Sequence, residues 1–386
     1  MAHHTVDPAF VHGSDRSDVD RLAATVVTDV QDYWAKQYPE VFDAPWHNLD
    51  GGFFSVDTNG EGTAPPCSAD VSDLVGNAYY CATVDAIAWD RTALLPVLQE
   101  HYGDASVVVV LAHELGHAVQ QRAGIGSDDE PARLEAMADC FAGAYVRSVT
   151  EQESERLSIN AEQLDRALRA ITLFRDPVST NSTEAHGSAF ERVTAFQDGY
   201  SHGPRRCTDI TETHLAALPP DGPNLPLNDA LRTESITTYF ADLAGPGWAP
   251  PAIRSERSCP EAIGAAGYCP HPPAIVLNDR AITDVHAKIG DQAVTTLLAA
   301  KFALTANAEL GNPTTGAAAS RQVACLTGAY TAAQPELTQG DLDEAVTVLL
   351  DSDNIARDAR GANPLTGYDR LAAFRTGALG GAAACT

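Results

Sequence analysis

Apolar and polar positions along the chain predict a series of helices with few strands between them. The stretch "DVQDYWAKQY", Asp29–Tyr38, predicts an N-terminal helix, and the short apolar run in "DAIAWD", Asp85–Asp90, predicts a strand. A helix is expected to begin near "LLPVLQEHYG", Leu94–Gly103. The apolar segment 107–123 predicts a buried helix, and another is expected over about 128–149. Because strands are few, the predicted fold class is α+β, mostly helical.

Helix-end signals mark the boundary between the last two of these helices. Gly124 can close the buried helix, because glycine is common just past a helix C-terminus. Ser127 and Glu130 have the spacing of a capping box, and Pro131 follows closely. The two helices are therefore expected to be joined by a short turn.

A second copy of this pattern follows in the same chain. "GDASVVVVLAHELGHAVQQRAG", Gly103–Gly124, aligns without a gap with "GDQAVTTLLAAKFALTANAELG", Gly290–Gly311. "CFAGAY" aligns with "CLTGAY", and "RVTAFQDGYSHGPRRC" with "RLAAFRTGALGGAAAC". A weaker match pairs Tyr33-Trp34 with Tyr239-Phe240. We therefore predict an internal duplication.

The duplication sets the predicted domain boundaries. Residues 1–20 are interpreted as a leader segment outside the fold, with any native signal or anchor absent from this chain. The first domain is placed at 21–207 and the second at 232–386. Between them, 208–231 includes "LPPDGPNLPLND", whose proline, aspartate and asparagine content is typical of a linker.

Eight cysteines recur as four in each half, in the same order, and none forms a tight C-x-x-C. They are Cys67, Cys81, Cys140, Cys207, Cys259, Cys269, Cys325 and Cys385. Shared order favours disulfides over free thiols, and disulfides indicate an oxidising compartment. Pairing of sequence neighbours is the simplest of the three connectivities open to each half. It joins Cys67 to Cys81 and Cys259 to Cys269, and leaves Cys140–Cys207 and Cys325–Cys385.

Charge and hydropathy argue against nucleic-acid binding and against a membrane span. The formal net charge of −27 repels phosphate backbones, so nucleic acid is not an expected partner. The sequence has no run of 18 apolar residues, so no membrane span is expected. Together with the cysteines, this favours an extracellular or cell-envelope location.

The motif H-E-x-x-H occurs in the buried helix as His113, Glu114 and His117. Residues i and i+4 share a helix face, so both imidazoles can bind one metal ion. Glu114 lies about 100° round the helix, where it can reach a water on that metal without ligating. Burying two histidines and a glutamate costs free energy unless something satisfies them. A metal site explains the set better than a hydrogen-bonded core histidine.

The following helix, "RLEAMADCFAGAY", offers a third ligand. Glu135 and Asp139 are also i and i+4, and Glu135 lies 18 residues after His117, enough for the chain to turn back. Catalytic zinc takes three protein ligands and leaves one position for water. We therefore expect Glu135 to ligate zinc and Asp139 to accept a hydrogen bond from a ligand histidine. The alternative, a solvated acidic face, fits poorly with the apolar residues around them.

The segments "HELGHAVQ", "LEAMADCFAGAY" and "HGSAFERVTAFQDGYSHGPRRC" together resemble the bacterial neutral zinc metallopeptidase family of the gluzincin type. The resemblance covers roughly Cys67–Cys207. It implies a zincin-like fold, with His113, His117 and Glu135 as zinc ligands and Glu114 as general base. His186 would stabilise an oxyanion, although a structural or surface histidine is an equally open interpretation.

The second copy lacks these residues. The aligned positions are Ala300, Lys301, Leu304, Ser320, Ala324 and Pro364. We predict a metal-free, degenerate domain that packs against the first, shapes the cleft or binds a partner protein.

The expected function is therefore a secreted or cell-envelope zinc metallopeptidase acting on peptide or protein substrates. The strand "DAIAWD" is a candidate for pairing with an extended substrate, whereas Trp89 within it is assigned to the core rather than to the cleft. One alternative is a partner-binding or scaffold protein with a structural or vestigial zinc site. Another is a metal hydrolase acting on a non-peptide amide.

Overall fold

The computed structural model describes residues 1–60, 63–126, 129–173, 188–256, 259–351 and 355–386. Contacts divide the chain into two units: unit 1 is Met1–Gly187 with Glu191–Glu212, and unit 2 is Ser188–Phe190 with Thr213–Thr386. Both combine helices with a small sheet, so the predicted α+β, mostly helical class is correct. No described helix is long and apolar enough to cross a membrane.

Unit 1 combines a four-stranded sheet with a group of helices. The sheet has the order β1-β2-β4-β3, with β1, β2 and β4 parallel and β3 antiparallel to β4 at one edge. The strands are β1 (Val11–His12), β2 (Gly52–Val56), β3 (Ala78–Cys81) and β4 (Ala86–Asp90). The helices are α1 (Asp18–Phe42), α2 (Leu94–Tyr102), α3 (Asp104–Arg122), α4 (Pro131–Thr150), α5 (Ala161–Leu173), α6 (Ala189–His202) and α7 (Pro204–Cys207).

Helix α3 lies at the centre of unit 1. It packs against α1, α2, α4, α5 and strand β3. Every residue from Ala105 to Gly116 is buried. The valines 107–110 are β-branched and favour strands in isolation, so burial in this setting, rather than intrinsic propensity, decides their helical state. The first histidine and the glutamate of the H-E-x-x-H motif, His113 and Glu114, therefore lie in the interior of unit 1.

The ends of α3 and α4 largely match expectation. Helix α3 ends at Arg122, and Gly124 follows with φ 69° while its N–H donates to the carbonyl of Gln121. Helix α4 begins at Pro131, with Glu130 itself at the N-cap and without a side-chain capping bond. The helix therefore starts a turn later than the sequence suggested. Ser127, the other half of the expected capping box, lies outside the described residues.

The interpretation of residues 1–20 as a leader outside the fold is wrong. Strand β1 pairs in parallel with β2, and Ala2 forms a bridge with Leu157. Pro8 and Val11 are buried, and α1 begins already at Asp18. A strand of two residues has no periodic signature, so the sequence pattern could not reveal it.

The expected linker, 208–231, is also structured in large part. Gln339 donates from its side chain to the carbonyl of Ala216, and Asp291 donates its N–H to Asn224. Leu215 is buried. From Thr213 onward the segment therefore belongs to unit 2, although its proline content is typical of a connection.

Unit 2 has a three-stranded sheet of order β5-β7-β6, with β5 parallel and β6 antiparallel to β7. The strands are β5 (Ala252–Arg254), β6 (Ala266–Pro270) and β7 (Pro273–Leu277). The helices are α8 (Leu227–Ala230), α9 (Glu234–Ala244), α10 (Asp279–Lys288), α11 (Asp291–Glu309), α12 (Gly316–Ala332), α13 (Gln339–Asp351) and α14 (Gly367–Gly380). Helix α11 is buried along almost its whole length, as α3 is in unit 1.

Four disulfides join the pairs expected from the sequence. They are Cys67–Cys81, Cys140–Cys207, Cys259–Cys269 and Cys325–Cys385. No described cysteine is free. In each unit one bridge includes a cysteine of the sheet, Cys81 in β3 or Cys269 in β6. The other bridge joins a cysteine in the middle of α4 or α12 to a cysteine near the C-terminal end of the unit.

Two helices cross in close contact within each unit, at matching positions. In unit 1 a Cβ on Gly199 would lie 1.8 Å from the carbonyl oxygen of Cys140, so only glycine permits α6 to lie so close to α4. In unit 2 a Cβ on Gly377 would lie 1.8 Å from the carbonyl oxygen of Cys325. The crossing fixes the last helix of each unit against the helix that carries the disulfide.

The aromatic pair that gave the weakest sequence match also has the same geometry in both units. Tyr33 and Trp34 have ring centroids 5.3 Å apart at 79°, and Tyr239 and Phe240 have centroids 5.2 Å apart at 83°. Tyr33 meets Tyr145 at 5.4 Å, as Tyr239 meets Tyr330 at 5.5 Å.

Candidate metal centre

Helices α3 and α4 bring the sequence-predicted ligands together inside unit 1. His113 and His117 lie one turn apart on α3, and Glu135 comes from the beginning of α4. The two helices approach closely, because a Cβ on Gly116 would lie only 2.9 Å from the Cα of Ala138. Among the described residues, His113, His117 and Glu135 form the one group of three or more that could hold a metal ion.

The three side chains converge on one point. His113 Nε2 lies 3.2 Å from His117 Nε2 and 3.3 Å from Glu135 Oε2. His117 Nε2 lies 3.4 Å from Glu135 Oε1. Ligands at zinc–nitrogen distances of about 2.0–2.1 Å in tetrahedral geometry are separated by about 3.3 Å. The separation of the two imidazole nitrogens matches this value, and each of them has one oxygen of Glu135 at a similar distance, so the three side chains could hold one metal ion.

The centre is closed on one side and partly open on the other. His113 has 5% of its side chain exposed, whereas His117 has 19% and Glu135 has 16%. Solvent can therefore reach the cluster from the side of His117 and Glu135. A metal ion held by these three residues would therefore be accessible to a fourth, non-protein ligand.

Asp139 holds the buried histidine, as the sequence predicted. Its Oδ1 accepts a hydrogen bond from His113 Nδ1 at 2.8 Å, and the carboxylate is 1% exposed. With Nδ1 bound in this way, Nε2 is the nitrogen left to face the cluster.

Gln120 plays the corresponding part for the second histidine, and the sequence reasoning missed it. His117 Nδ1 donates to Gln120 Oε1 at 3.0 Å, and Gln120 Nε2 donates to the carbonyl of Leu134 at 2.6 Å. The amide is buried and lies one turn beyond His117 on α3. Its position at i+3 from a ligand was the available signal.

Arg192 is a second residue that the sequence reasoning left unassigned. Its Nε donates to Asp139 Oδ2 at 2.8 Å, and its Nη2 donates to Asp139 Oδ1 at 3.0 Å. Asp139 thus contacts a cation on one side and an imidazole on the other.

Opposing effects set the protonation of the cluster. Burial alone would lower the pKa of His113, but the carboxylates of Asp139 and Glu135 outweigh it and raise that pKa well above its ordinary value. Burial would raise the pKa of Glu135, but hydrogen bonds and charge from both histidines hold it far below its ordinary range. The histidines and carboxylates of the cluster therefore favour each other's charged forms.

Glu114 is buried on α3 beside the two histidines, with 3% of its surface exposed. Its negative charge is one of the influences that raise the pKa of His117, which places the carboxylate close to the cluster. It is not one of the three converging residues. Its carboxylate is therefore near the cluster without belonging to the group of three.

His186 lies outside the described residues, so its expected role is not addressed by the geometry. Trp89 is fully buried, as expected, and its Nε1 donates to Asp20 at 3.5 Å.

The suggestion that "DAIAWD" pairs with substrate is wrong. This segment forms β4, which is hydrogen-bonded to β2 on one side and β3 on the other. Both edges of β4 are therefore paired within the sheet and are not accessible to a substrate strand. Strand β3 occupies the sheet edge instead and lies against α3.

The equivalent positions in unit 2 are buried and carry different side chains. Ala300, Lys301, Leu304, Ser320 and Ala324 are each 1% exposed or less. The described residues of unit 2 contain no group of three potential ligands.

Comparison with known proteins finds similar proteins whose names give no activity. No family model matches the chain, and no solved structure matches it. The chain is similar to "Uncharacterized protein YpfJ" of Escherichia coli strain K12, at 23% identity over 220 residues, 48% of this chain and 70% of that protein. The protein of the same name in E. coli O6:H1 strain CFT073 matches to the same extent. Functional conclusions therefore depend on the geometry of the centre.

Proposed function

We propose that unit 1 is a zinc metallopeptidase that hydrolyses peptide bonds with Glu114 as general base. The observation that carries the proposal is the grouping of three side chains: His113 Nε2 lies 3.2 Å from His117 Nε2, and the two carboxylate oxygens of Glu135 lie 3.3 Å from the first and 3.4 Å from the second. Structural zinc sites normally have four protein ligands, whereas catalytic sites have three and an open position. The group here has three members and is accessible from solvent.

The ligand set favours zinc over other divalent ions. Two neutral imidazoles with one carboxylate are a ligand set of catalytic zinc sites. Calcium and magnesium prefer shells of oxygen ligands, which this centre lacks among its three converging groups. Each histidine is also oriented through Nδ1, by Asp139 or Gln120, as zinc-ligating histidines usually are.

The chain's own residues then divide the chemistry. When bound, zinc lowers the pKa of a coordinated water to about 7 and polarises a substrate carbonyl. Glu114 accepts the proton of the attacking water and returns it to the leaving amine. His186, which lies outside the described residues, is proposed to donate a hydrogen bond to the developing oxyanion.

Substrate binding is assigned to the edge of the sheet. Strand β3 is antiparallel to β4, lies at the edge of the sheet and packs against α3, which carries the motif. An extended peptide that paired with the outer edge of β3 would add a strand to this sheet, with its backbone held by main-chain hydrogen bonds.

Unit 2 is proposed to be a degenerate, metal-free copy of the same zincin-like fold. Support comes from the shared strand arrangement, the glycine crossings at Gly199 and Gly377, and the matching disulfides. A partner-binding role is the proposed use of the second copy. The four disulfides further favour an extracellular or cell-envelope location for the chain.

Metal removal tests the proposed activity. Stripping zinc with a chelator should abolish hydrolysis of an unfolded protein such as casein, and one equivalent of zinc should restore it. Magnesium and calcium serve as controls and should restore nothing. Stoichiometric zinc with no turnover on diverse unfolded substrates would instead favour a partner-binding protein with a structural or vestigial zinc site.

A further inference from the structure

Arg192 on α6 contacts Asp139, the residue that accepts a hydrogen bond from His113. Its guanidinium forms a two-point contact, with Nε 2.8 Å from Oδ2 and Nη2 3.0 Å from Oδ1. Oδ1 is also the atom that accepts from His113 Nδ1 at 2.8 Å. The three side chains thus form a chain that runs from α6 through α4 to a ligand on α3.

Because Asp139 is buried, its carboxylate needs the contact with Arg192 to compensate its charge. Arg192 is 7% exposed and Asp139 is 1% exposed. An unpaired carboxylate at such a depth is costly, and a guanidinium compensates its charge while fixing the plane of both oxygens. With that plane fixed, the lone pairs of Oδ1 have one direction relative to His113.

The framework around the pair is rigid. Cys140, the residue after Asp139, is bonded to Cys207 just beyond α6. One turn further along, the glycine crossing at Gly143 and Gly199 holds α4 and α6 in backbone contact. The disulfide and the close helix crossing therefore hold α6, which carries Arg192, against α4, which carries Asp139.

Unit 2 provides an internal comparison. Arg370 aligns with Arg192 and is also buried, at 5% exposed. Both arginines donate to the backbone carbonyl at an equivalent position, Arg192 to Ile171 at 3.5 Å and Arg370 to Leu349 at 2.8 Å. In unit 2 Ala324 replaces the aspartate, and Arg370 donates in addition to the carbonyl of Leu365 at 3.0 Å. The arginine is thus compatible with either unit, but only in unit 1 does it meet a carboxylate that contacts a histidine ligand.

We propose that Arg192 is a positioning residue of the metal centre: by fixing the Asp139 carboxylate, it holds His113 with Nε2 turned toward His117 and Glu135. The proposal rests on the zinc site proposed above and extends it to a residue 53 positions beyond Asp139 along the chain. A lysine at position 192 keeps the charge but not the two-point geometry. Charge alone is therefore not expected to preserve metal affinity.

The test is a double-mutant cycle on zinc affinity, measured by competition with a chromophoric chelator. Arg192→Lys and Asp139→Asn are each expected to weaken zinc binding by about 10–100-fold. In the Asp139→Asn background, Arg192→Lys is expected to have little further effect, because the arginine acts through that carboxylate. The visible absorption of the cobalt-substituted protein should also shift in Arg192→Lys at saturating metal.

Arg370→Lys is the matched control, since it makes the same change at an equally buried position in unit 2. It should leave zinc affinity and the cobalt spectrum unchanged. If the wild type binds no zinc, the proposed site itself fails. If the wild type binds zinc and Arg192→Lys binds it equally tightly with the same spectrum, only the role of Arg192 is overturned. Should Arg192→Lys not fold, additive effects of Arg192→Gln and Asp139→Asn on affinity would contradict the proposal.

Discussion

Replacing Glu114 by glutamine is expected to leave one zinc ion per chain and to lower kcat for peptide hydrolysis by about 10²–10⁴-fold. The amide has nearly the same shape as the carboxylate but cannot accept the proton of the attacking water. Glu114 is buried beside the histidines without belonging to the ligand group, so metal affinity should change little. Zinc content and steady-state hydrolysis of one defined peptide measure the two effects separately.

Glu100→Gln is the control for this change, because it makes the same substitution at an exposed residue on α2. It should behave as wild type in both measurements. Undiminished hydrolysis by Glu114→Gln would remove Glu114 from the mechanism. Loss of zinc from that variant would instead show that Glu114 takes part in holding the metal.

Replacing Glu135 by alanine is expected to abolish stoichiometric zinc binding. Two histidines would remain of the three converging side chains, and the open tetrahedral site needs three. In the wild type, zinc at a thousandfold excess over its Kd should add about 4 kcal/mol to the free energy of unfolding. In Glu135→Ala that stabilisation should disappear, as denaturant unfolding with and without zinc would show.

Ser320→Ala is the matched control, since Ser320 aligns with Glu135 and is fully buried in unit 2. Its zinc content and its zinc-dependent stabilisation should equal those of the wild type. Retention of one tightly bound zinc by Glu135→Ala would mean that the ion is held elsewhere.

The core of the metal centre was predictable because it depends on local spacing. His113 and His117 share a face by helical periodicity, and so do Glu135 and Asp139. The short interval between the two pairs left little choice but for the helices to fold back on each other. The structure brings all four residues together.

The residues that support the ligands were harder to find. Arg192 reaches Asp139 from a helix 53 residues further along the chain, so no local pattern pairs the two residues. Gln120 looks like an ordinary polar residue near a helix end until its contact with His117 is seen. Neither the partner nor the direction of a polar side chain is encoded in local periodicity.

The helices were also easier to predict than the sheets. Strands β1 and β2 come from segments with weak alternation, and their parallel pairing joins residues about 40 positions apart. The order of strands depends on such distant contacts, so β4 was taken for a cleft strand although it lies inside the sheet. The presence of disulfides was predictable because the same cysteine order occurs in both halves, and pairing of sequence neighbours gave the observed connectivity.

Titration of metal-stripped wild-type protein with zinc, followed by calorimetry, tests most directly whether His113, His117 and Glu135 form a metal site. We expect one saturable site per chain, because His113, His117 and Glu135 are the one group among the described residues that could hold a metal ion. The His117→Ala protein should show none. Absence of saturable binding by the wild type, or equal binding by His117→Ala, would show that these residues do not form a metal site.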